Sequence, residues 1–445
     1  MRLGFGSRER GLLRATSACE ARRKGRGTLT PKAMSIVLEA VSTAPGPGRR
    51  VAPRIDRMRS GGLRTLIQER RAAPAHDRRL ASYHSEAYIR IWQQAAEQLG
   101  ADVEQLSDGF MVIRSGRVET IVWQNLVMLD HPSTTAFALN KPLVHAVLAD
   151  SGIAVPEHLE LDRRRLRASM PLVLGGSGDA PGHVVKPAAG TGGGAGVTCN
   201  VRTPDELVRA WLAAGRWADR ILVERQVPGH EYRLLFLDGE LLGAVRRRPA
   251  AVTGDGSSTV GQLIAAENRR RLSSGHDEAA RLIRVDLDCE LALTRQGYDI
   301  GSVAPRGHRV EVTGKVSYNA AGENETVESF APELVAQCAR AVRLTRLRLA
   351  GIDLVTPDTS VPLHVAGGAV LEVNGTPGLH YHYQVAEPAT VAPVAVPVLA
   401  RLLGVGCPSQ WRRGAQRVSP STSPPMGTGA GEGPARRSTP TADGS

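Results

Sequence analysis

Aromatic residues make up only 4% of this 445-residue chain, and cysteine occurs five times. The cysteines (Cys19, Cys199, Cys289, Cys338 and Cys407) are scattered, odd in number and never spaced as C-x-x-C. That argues against a disulfide framework or structural zinc, and for a reducing cytoplasm. No run reaches the roughly 18 apolar residues of a membrane span; the stretch Val391 to Val405 is cut by Pro393 and Pro397. The basic N-terminus lacks the apolar segment of a secretory signal. Lysine is nearly missing from the middle: residues 81–400 hold only Lys141, Lys186 and Lys315 against 28 Arg, so each of the three stands out. Two signatures are also absent. No Gly-Lys-Ser/Thr closes a Walker loop, and no G-x-S-x-G or Cys/His pattern marks a protein nucleophile.

The net charge of +12 suggests nucleic acid until its distribution is read. Residues 1–80 carry 19 Lys+Arg and 6 Asp+Glu, and residues 401–445 carry 6 and 2, which leaves the middle with 31 basic and 36 acidic residues. The basic excess sits wholly in the ends. Those ends are rich in Arg, Gly, Ser, Thr and Pro and bury too little apolar surface to offset chain entropy. They are expected to be disordered: a basic leader over 1–80, with Met34 or Met58 as alternative starts, and a tail over 406–445.

Between them the pattern is mixed. Ala87–Leu99 has helical spacing closed by Gly100, and Phe110–Ile113 with Glu119–Trp123 alternate as a strand pair. A small α/β domain is expected over 81–139. Lys141–Asp150 reads as a helix with Pro142 in its first turn, and Thr203-Pro204-Asp205-Glu206 as a capping box opening another. Strands are expected at His183–Pro187, Val197–Val201, Ile221–Glu224, Tyr232–Leu237, Leu241–Arg246, Leu349–Val355 and Ala369–Val373. Val260–Arg271 and Pro332–Leu347 should be helical. Without regular βαβ repetition, the class is α+β with antiparallel sheets.

The glycine-rich loop Gly190-Thr191-Gly192-Gly193-Gly194-Ala195-Gly196 lets backbone N–H groups approach phosphate oxygens. It also fits a permissive dinucleotide pattern, which would need a helix directly after it. Lys186, at a strand end just before the loop, can set its ammonium on a polyphosphate. Ile221 to Glu231 is an apolar strand entering a turn, where Glu224 and Glu231 can serve a nucleotide's base hinge and ribose. A plain turn with exposed glutamates explains the same residues. Glu372 and Asn374 share one strand face, and Asp353 joins them if the two strands pair. Two carboxylates and an amide suit a hard cation such as Mg²⁺. Arg233, Arg246, Arg247 and Arg248 supply cations, although alternation turns at least one of the triple away.

In this order these residues resemble the ATP-grasp superfamily, in particular the ATP-grasp part of cyanophycin synthetases and related carboxylate–amine ligases. The stretches VVKPAAGTGGGAGV, ILVERQVPGHEYRLL, PAAVTGDGSSTVGQLIAAEN, AGIDLVTPD and LEVNGTPGL carry the resemblance, which covers about 140–405. It implies an ATP-grasp fold, two α+β subdomains gripping ATP. It implies that Lys141 and Lys186 hold the α- and β-phosphates under a mobile lid containing Gly192, Gly193 and Gly194. Glu224, Arg225 and Val227 would form the adenine hinge, Glu231 the ribose contact, and Asp353, Glu372 and Asn374 the ligands of Mg²⁺ or Mn²⁺. Arg247, with Arg233, would face the transferring phosphoryl group. The implied reaction is ADP-forming amide or peptide bond formation between small-molecule carboxylate and amine substrates, in the cytoplasm, without membrane or nucleic-acid partners; a homodimer is compatible with the sequence. The chain departs from cyanophycin synthetases at 311–323, where an Asn-Leu-Ser-Thr-Gly-Gly type run is expected, and no Mur-ligase-like segment follows 405. The acid is therefore expected to be an amino acid or peptide outside cyanophycin synthesis. A small-molecule kinase is the alternative, and a nucleic-acid-binding protein using the basic ends the weaker one. His380 and His382 follow the metal strand and are candidates for the substrate site.

Overall fold

A computed structural model describes residues 63–166, 182–189, 191, 193–273, 280–316 and 323–408. The remainder of the leader, the tail from 409 and Gly190 and Gly192 of the loop lie outside the described residues. The described chain runs α1 (Leu63–Leu99), β1 (Asp102–Gln105), β2 (Phe110–Ser115), β3 (Val118–Trp123), β4 (Leu126–Val127), α2 (Pro132–Ala138), α3 (Lys141–Asp150), β5 (His158–Asp162), β6 (His183–Pro187), β7 (Thr198–Val201) and α4 (Pro204–Ala214). It continues through β8 (Arg220–Arg225), β9 (His230–Leu237), β10 (Glu240–Arg247), β11 (Ala251–Thr253), α5 (Val260–Ser273), α6 (Leu287–Arg295), β12 (Arg309–Glu311), β13 (Asn324–Thr326), α7 (Pro332–Thr345), β14 (Leu349–Thr356), α8 (Leu363–Ala366), β15 (Ala369–Asn374) and α9 (Ala395–Leu403). The helix read from Ala87 thus begins at Leu63, in residues assigned to the leader. Among the described residues no helix is long and apolar enough to cross a membrane.

Two compact units emerge. Of the described residues, one holds those within 63–89, 157–226 and 248–324, and the other those within 90–156, 227–247 and 325–408. In the first, β5-β8-β6-β7 form a four-stranded antiparallel sheet, and β11 pairs with β12. Val185, Val201, Ile221 and Val223 pack on Leu207, Ala210 and Trp211 of α4. That helix starts as its sequence dictates: the Glu206 N–H donates to Thr203 Oγ1 at 3.2 Å and the Thr203 N–H to Glu206 Oε2 at 3.2 Å, satisfying two backbone donors the helix itself cannot.

The second unit contains a meander, β1-β2-β3-β4, and a five-stranded sheet ordered β13-β10-β9-β14-β15. In the larger sheet, alternation sends Tyr232, Leu234, Phe236, Ala350, Ile352, Leu354 and Val373 into a core shared with Leu334, Cys338 and Val342 of α7. Completely burying one such side chain contributes about 1.5–3 kcal/mol. The opposite face is left for polar groups. The β9–β10 turn is Asp238-Gly239, with both residues at positive φ.

Gly229 enters β9 with φ 125°, and a Cβ there would lie 2.3 Å from the Thr356 carbonyl carbon. Gly307 has a φ of +79° but nothing within 4 Å of an added Cβ. Gly229→Ala is therefore expected to destabilise by more than about 2 kcal/mol, and Gly307→Ala by about 1 kcal/mol. Thermal-denaturation midpoints check the order; equal midpoints would contradict the close approach.

Candidate functional site

On the polar face of the five-stranded sheet the register sets charges side by side. Val245, Arg233, Asp353 and Glu372 lie opposite one another across β10, β9, β14 and β15; one pleat away, Arg247 lies opposite Glu231, and Gly351 opposite Asn374. Arg233 grips Asp353 with two nitrogens, Nη2 lying 2.7 Å from Oδ2 and Nε closing on Oδ1. The Asn374 amide donates to Asp353 Oδ2 at 3.1 Å, and Arg247 Nη1 to Glu231 Oε1 at 3.2 Å. Lys141 opens α3, capped by Asn140, and donates to Glu372 Oε1 at 2.8 Å. His145 of the same helix meets the Leu371 carbonyl at 2.9 Å, fixing α3 against β15. The expected metal residues are thus brought together with Lys141 and both arginines. Arg246 points away, toward Glu325 at 3.8 Å.

Burial governs these charges. Asp353 is 6% exposed, and burial pushes its carboxyl up; the Arg233 guanidinium more than offsets this and holds the group below the usual carboxylate range. Glu231 goes the other way: burial pushes it up to about 7 against the pull of Arg247. Gly351 makes room for this packing, since a Cβ there would sit 2.9 Å from Pro377 Cβ and 3.3 Å from Arg233 Cδ. The strand spacing alone did not single out Tyr381. Its ring centroid lies 5.2 Å from Arg233 Cζ and 4.5 Å from Arg247 Cζ, so it sits against both cations. In a chain this poor in aromatics, a Tyr between two His just after the acidic strand was the available signal.

The oxygen chemistry fits a hard divalent ion: two carboxylates, and an Asn374 amide whose nitrogen faces Asp353 and the Gly351 carbonyl, so that its oxygen is the atom a cation would take. Among the described residues, no three His, Cys, Asp or Glu side chains cluster as metal ligands, so such a site depends on Asn374.

The first unit carries the other expected residues. Lys186 and Glu224 project from one face of the β6–β8 pair and meet at 2.7 Å, both buried. The Arg225 N–H donates to the Glu157 carbonyl and the Gln226 N–H to the Gly182 carbonyl, each at 2.8 Å. The Arg225 side chain reaches Glu157 at 3.3 Å. Val227, half-buried, belongs instead to the second unit, at the start of its 227–247 segment. In the loop, Gly193, Gly194 and Gly196 have φ of 60°, 70° and 74°, which favours glycine at each. Gly192 lies outside the described residues. Strand β7 follows the loop, which excludes the dinucleotide pattern because that needs a helix there.

No protein-family model matches the chain. It is 33% identical over 279 residues to a cyanophycin synthetase of Synechocystis sp., covering 61% of this chain and 31% of that protein. It is 29% identical over 291 residues to the glutathione biosynthesis bifunctional protein GshAB of Streptococcus mutans, covering 62% and 37%. Among solved structures, a bifunctional glutathione synthetase from Pasteurella multocida matches with a TM-score of 0.45 and 23% identity over 69% of this chain and 42% of that one. The chain therefore spans about a third of the length of the curated relatives it matches.

His382 yields a test of the site's packing. It is 1% exposed, and burial together with Arg233 pushes its imidazole from 6.5 down to about 3. The unfolded chain takes up a proton near pH 6.5 that the folded chain refuses. The resulting stability is fully present above that pH and is lost as pH falls toward 3, at a limiting slope of about 1.4 kcal/mol per pH unit. His382→Leu should flatten the fall of the denaturation midpoint between pH 7 and 5; an unchanged slope would count against a buried neutral imidazole. The chain is similar in sequence to the cyanophycin synthetases over 61% of its length, and it builds two compact units of mixed helix and antiparallel sheet.

Proposed function

We propose that this protein is an ATP- and Mg²⁺-dependent carboxylate–amine ligase, forming an amide or peptide bond through an acylphosphate and releasing ADP. The observation that carries the reading is the oxygen-donor row of Asp353, Glu372 and Asn374 set among Lys141, Arg233 and Arg247 on one sheet face. A carboxylate is a poor electrophile. Moving the γ-phosphoryl group of ATP onto it gives an acylphosphate; the amine nitrogen then attacks the acyl carbon, the bond to the phosphate oxygen breaks, and phosphate leaves with the electron pair. Bound Mg²⁺, or Mn²⁺ in its place, supplies charge neutralisation to such a transfer.

The chain's own residues divide the work. Asp353, Glu372 and Asn374 would hold the ion through oxygen. Lys141 and Lys186 would bind phosphate oxygens, and the N–H groups of Gly192, Gly193 and Gly194 would cover them. Glu231 would take the ribose, with Glu224, Arg225 and Val227 beside the base. Arg233 and Arg247 would bind the anionic group in transfer and orient it. The similarity to cyanophycin synthetases supports an amino acid or peptide as the acid. In the same reading, 81–139 is a small N-terminal domain, 140–405 the ATP-grasp portion, and the setting a cytoplasm, where Cys199, Cys289, Cys338 and Cys407, which form no disulfide among the described residues, stay reduced.

Purified protein with Mg²⁺, ATP and a panel of acids and amines should release ADP and phosphate only when both substrates are present. Hydroxylamine should trap the activated acid as a hydroxamate. Asp353→Asn and Glu372→Gln should each lower kcat by roughly 100-fold or more while leaving the circular-dichroism spectrum intact. Formation of AMP and pyrophosphate would sink the ligase reading. A stable phosphorylated product insensitive to hydroxylamine would replace it with a small-molecule kinase.

A further inference from the structure

Lys315 is the third of the scarce lysines and has no part in the reaction described above. It is 7% exposed. Its ammonium donates to the Val197 carbonyl at 3.0 Å and lies 3.5 Å from Asp286 and 3.9 Å from Asp288. Asp288, 2% exposed, gathers three further donors: the Cys199 N–H at 2.8 Å, the Thr313 hydroxyl at 2.6 Å and the Gly314 N–H at 2.9 Å. A Cβ on Gly314 would lie 2.7 Å from Cys199 Cβ, so the 313–315 turn and β7 are in contact. A buried cation and a buried carboxylate thus meet at the start of β7, where β7 leaves the glycine-rich loop.

The place of Val197 gives this node a role. Its N–H donates back to the Gly194 carbonyl at 3.3 Å, which makes it the residue that closes the loop. Upstream, the loop is bounded by β6 and by the Ala188 N–H on the Arg220 carbonyl at 3.0 Å. Gly196 runs close over Pro187 and Trp217, whose atoms would lie 3.0 Å and 2.7 Å from an added Cβ. The three glycines at positive φ give the loop many accessible conformations. Its geometry then depends on fixed ends.

We propose that Lys315 is a positioning residue: its buried ammonium pins the C-terminal end of the glycine-rich loop through the Val197 carbonyl, and so sets the affinity for the polyphosphate beneath that loop. The affinity part rests on the ATP reading; the pin does not. A hydrogen bond to a charged group accounts for about a tenfold change in an equilibrium.

The test uses the full chain with Lys315→Met, Lys315→Arg and Asp286→Asn. Asp286 is 41% exposed at its side chain, and Asn still caps α6, so that variant spares the core. Amide hydrogen exchange without nucleotide should speed up about tenfold over 193–198 in Lys315→Met, less in Asp286→Asn, and stay unchanged over β9. The Michaelis constant for ATP should rise about tenfold with kcat nearly unchanged. Lys315→Arg should restore most of both. Exchange at 193–198 that does not respond would overturn the proposal, as would acceleration spread evenly over the chain. If Lys315→Met fails to fold, Asp286→Asn decides by the same loop-specific criterion. Loop exchange that responds in a protein binding no ATP would uphold the pin and bring down the nucleotide reading instead.

Discussion

Three cation–carboxylate pairs cross the polar face of the five-stranded sheet: Arg247 with Glu231, Arg233 with Asp353, and Lys141 with Glu372. A buried charge left alone costs several kcal/mol, so these groups can occupy a sheet interior only together. The opposite face of the same strands is apolar and packs on α7, which fixes the register. A one-residue slip would exchange the two faces and bring Asp353 into the core. Register, charge pairing and core packing therefore constrain one another.

The same economy applies around β7. Asp288 is acceptable inside the first unit because backbone, hydroxyl and ammonium donors converge on it. In both units the polar centre lies on strands and helix starts that the core already holds rigid. Loops contribute mainly where glycine is needed, as at Gly193 to Gly196.

Much of this was legible in the sequence, for identifiable reasons. The helix Lys141–Asp150, the strand His183–Pro187 and the capping box at Thr203 carry strong local signals, and they form where spacing and capping place them. The approach of Asp353 to Asn374 followed from period-two alternation once two strands were assumed to pair. Other features depend on contacts remote in sequence. The Arg233–Asp353 grip joins positions 120 residues apart, and nothing local marks which arginine will take it. The short strands β1, β4, β11, β12 and β13 and the helix α6 have too few residues to show a period. The contact of Tyr381 with two guanidiniums, and the role of Asp288, arise only when the chain folds back on itself.

The scarcity of lysine has a chemical consequence. In residues 81–400 every primary amine on a side chain is engaged and at least half-buried: Lys141 with Glu372, Lys186 with Glu224, and Lys315 with the Val197 carbonyl. Reagents and enzymes that act on lysine, whether acylating dyes, crosslinkers or lysine-directed proteases, find no freely solvated target there while it stays folded. Amine acylation in that stretch would therefore register departures from the closed pairs, with three positions reporting separately on the β15 face, the β6–β8 pair and the end of the glycine-rich loop.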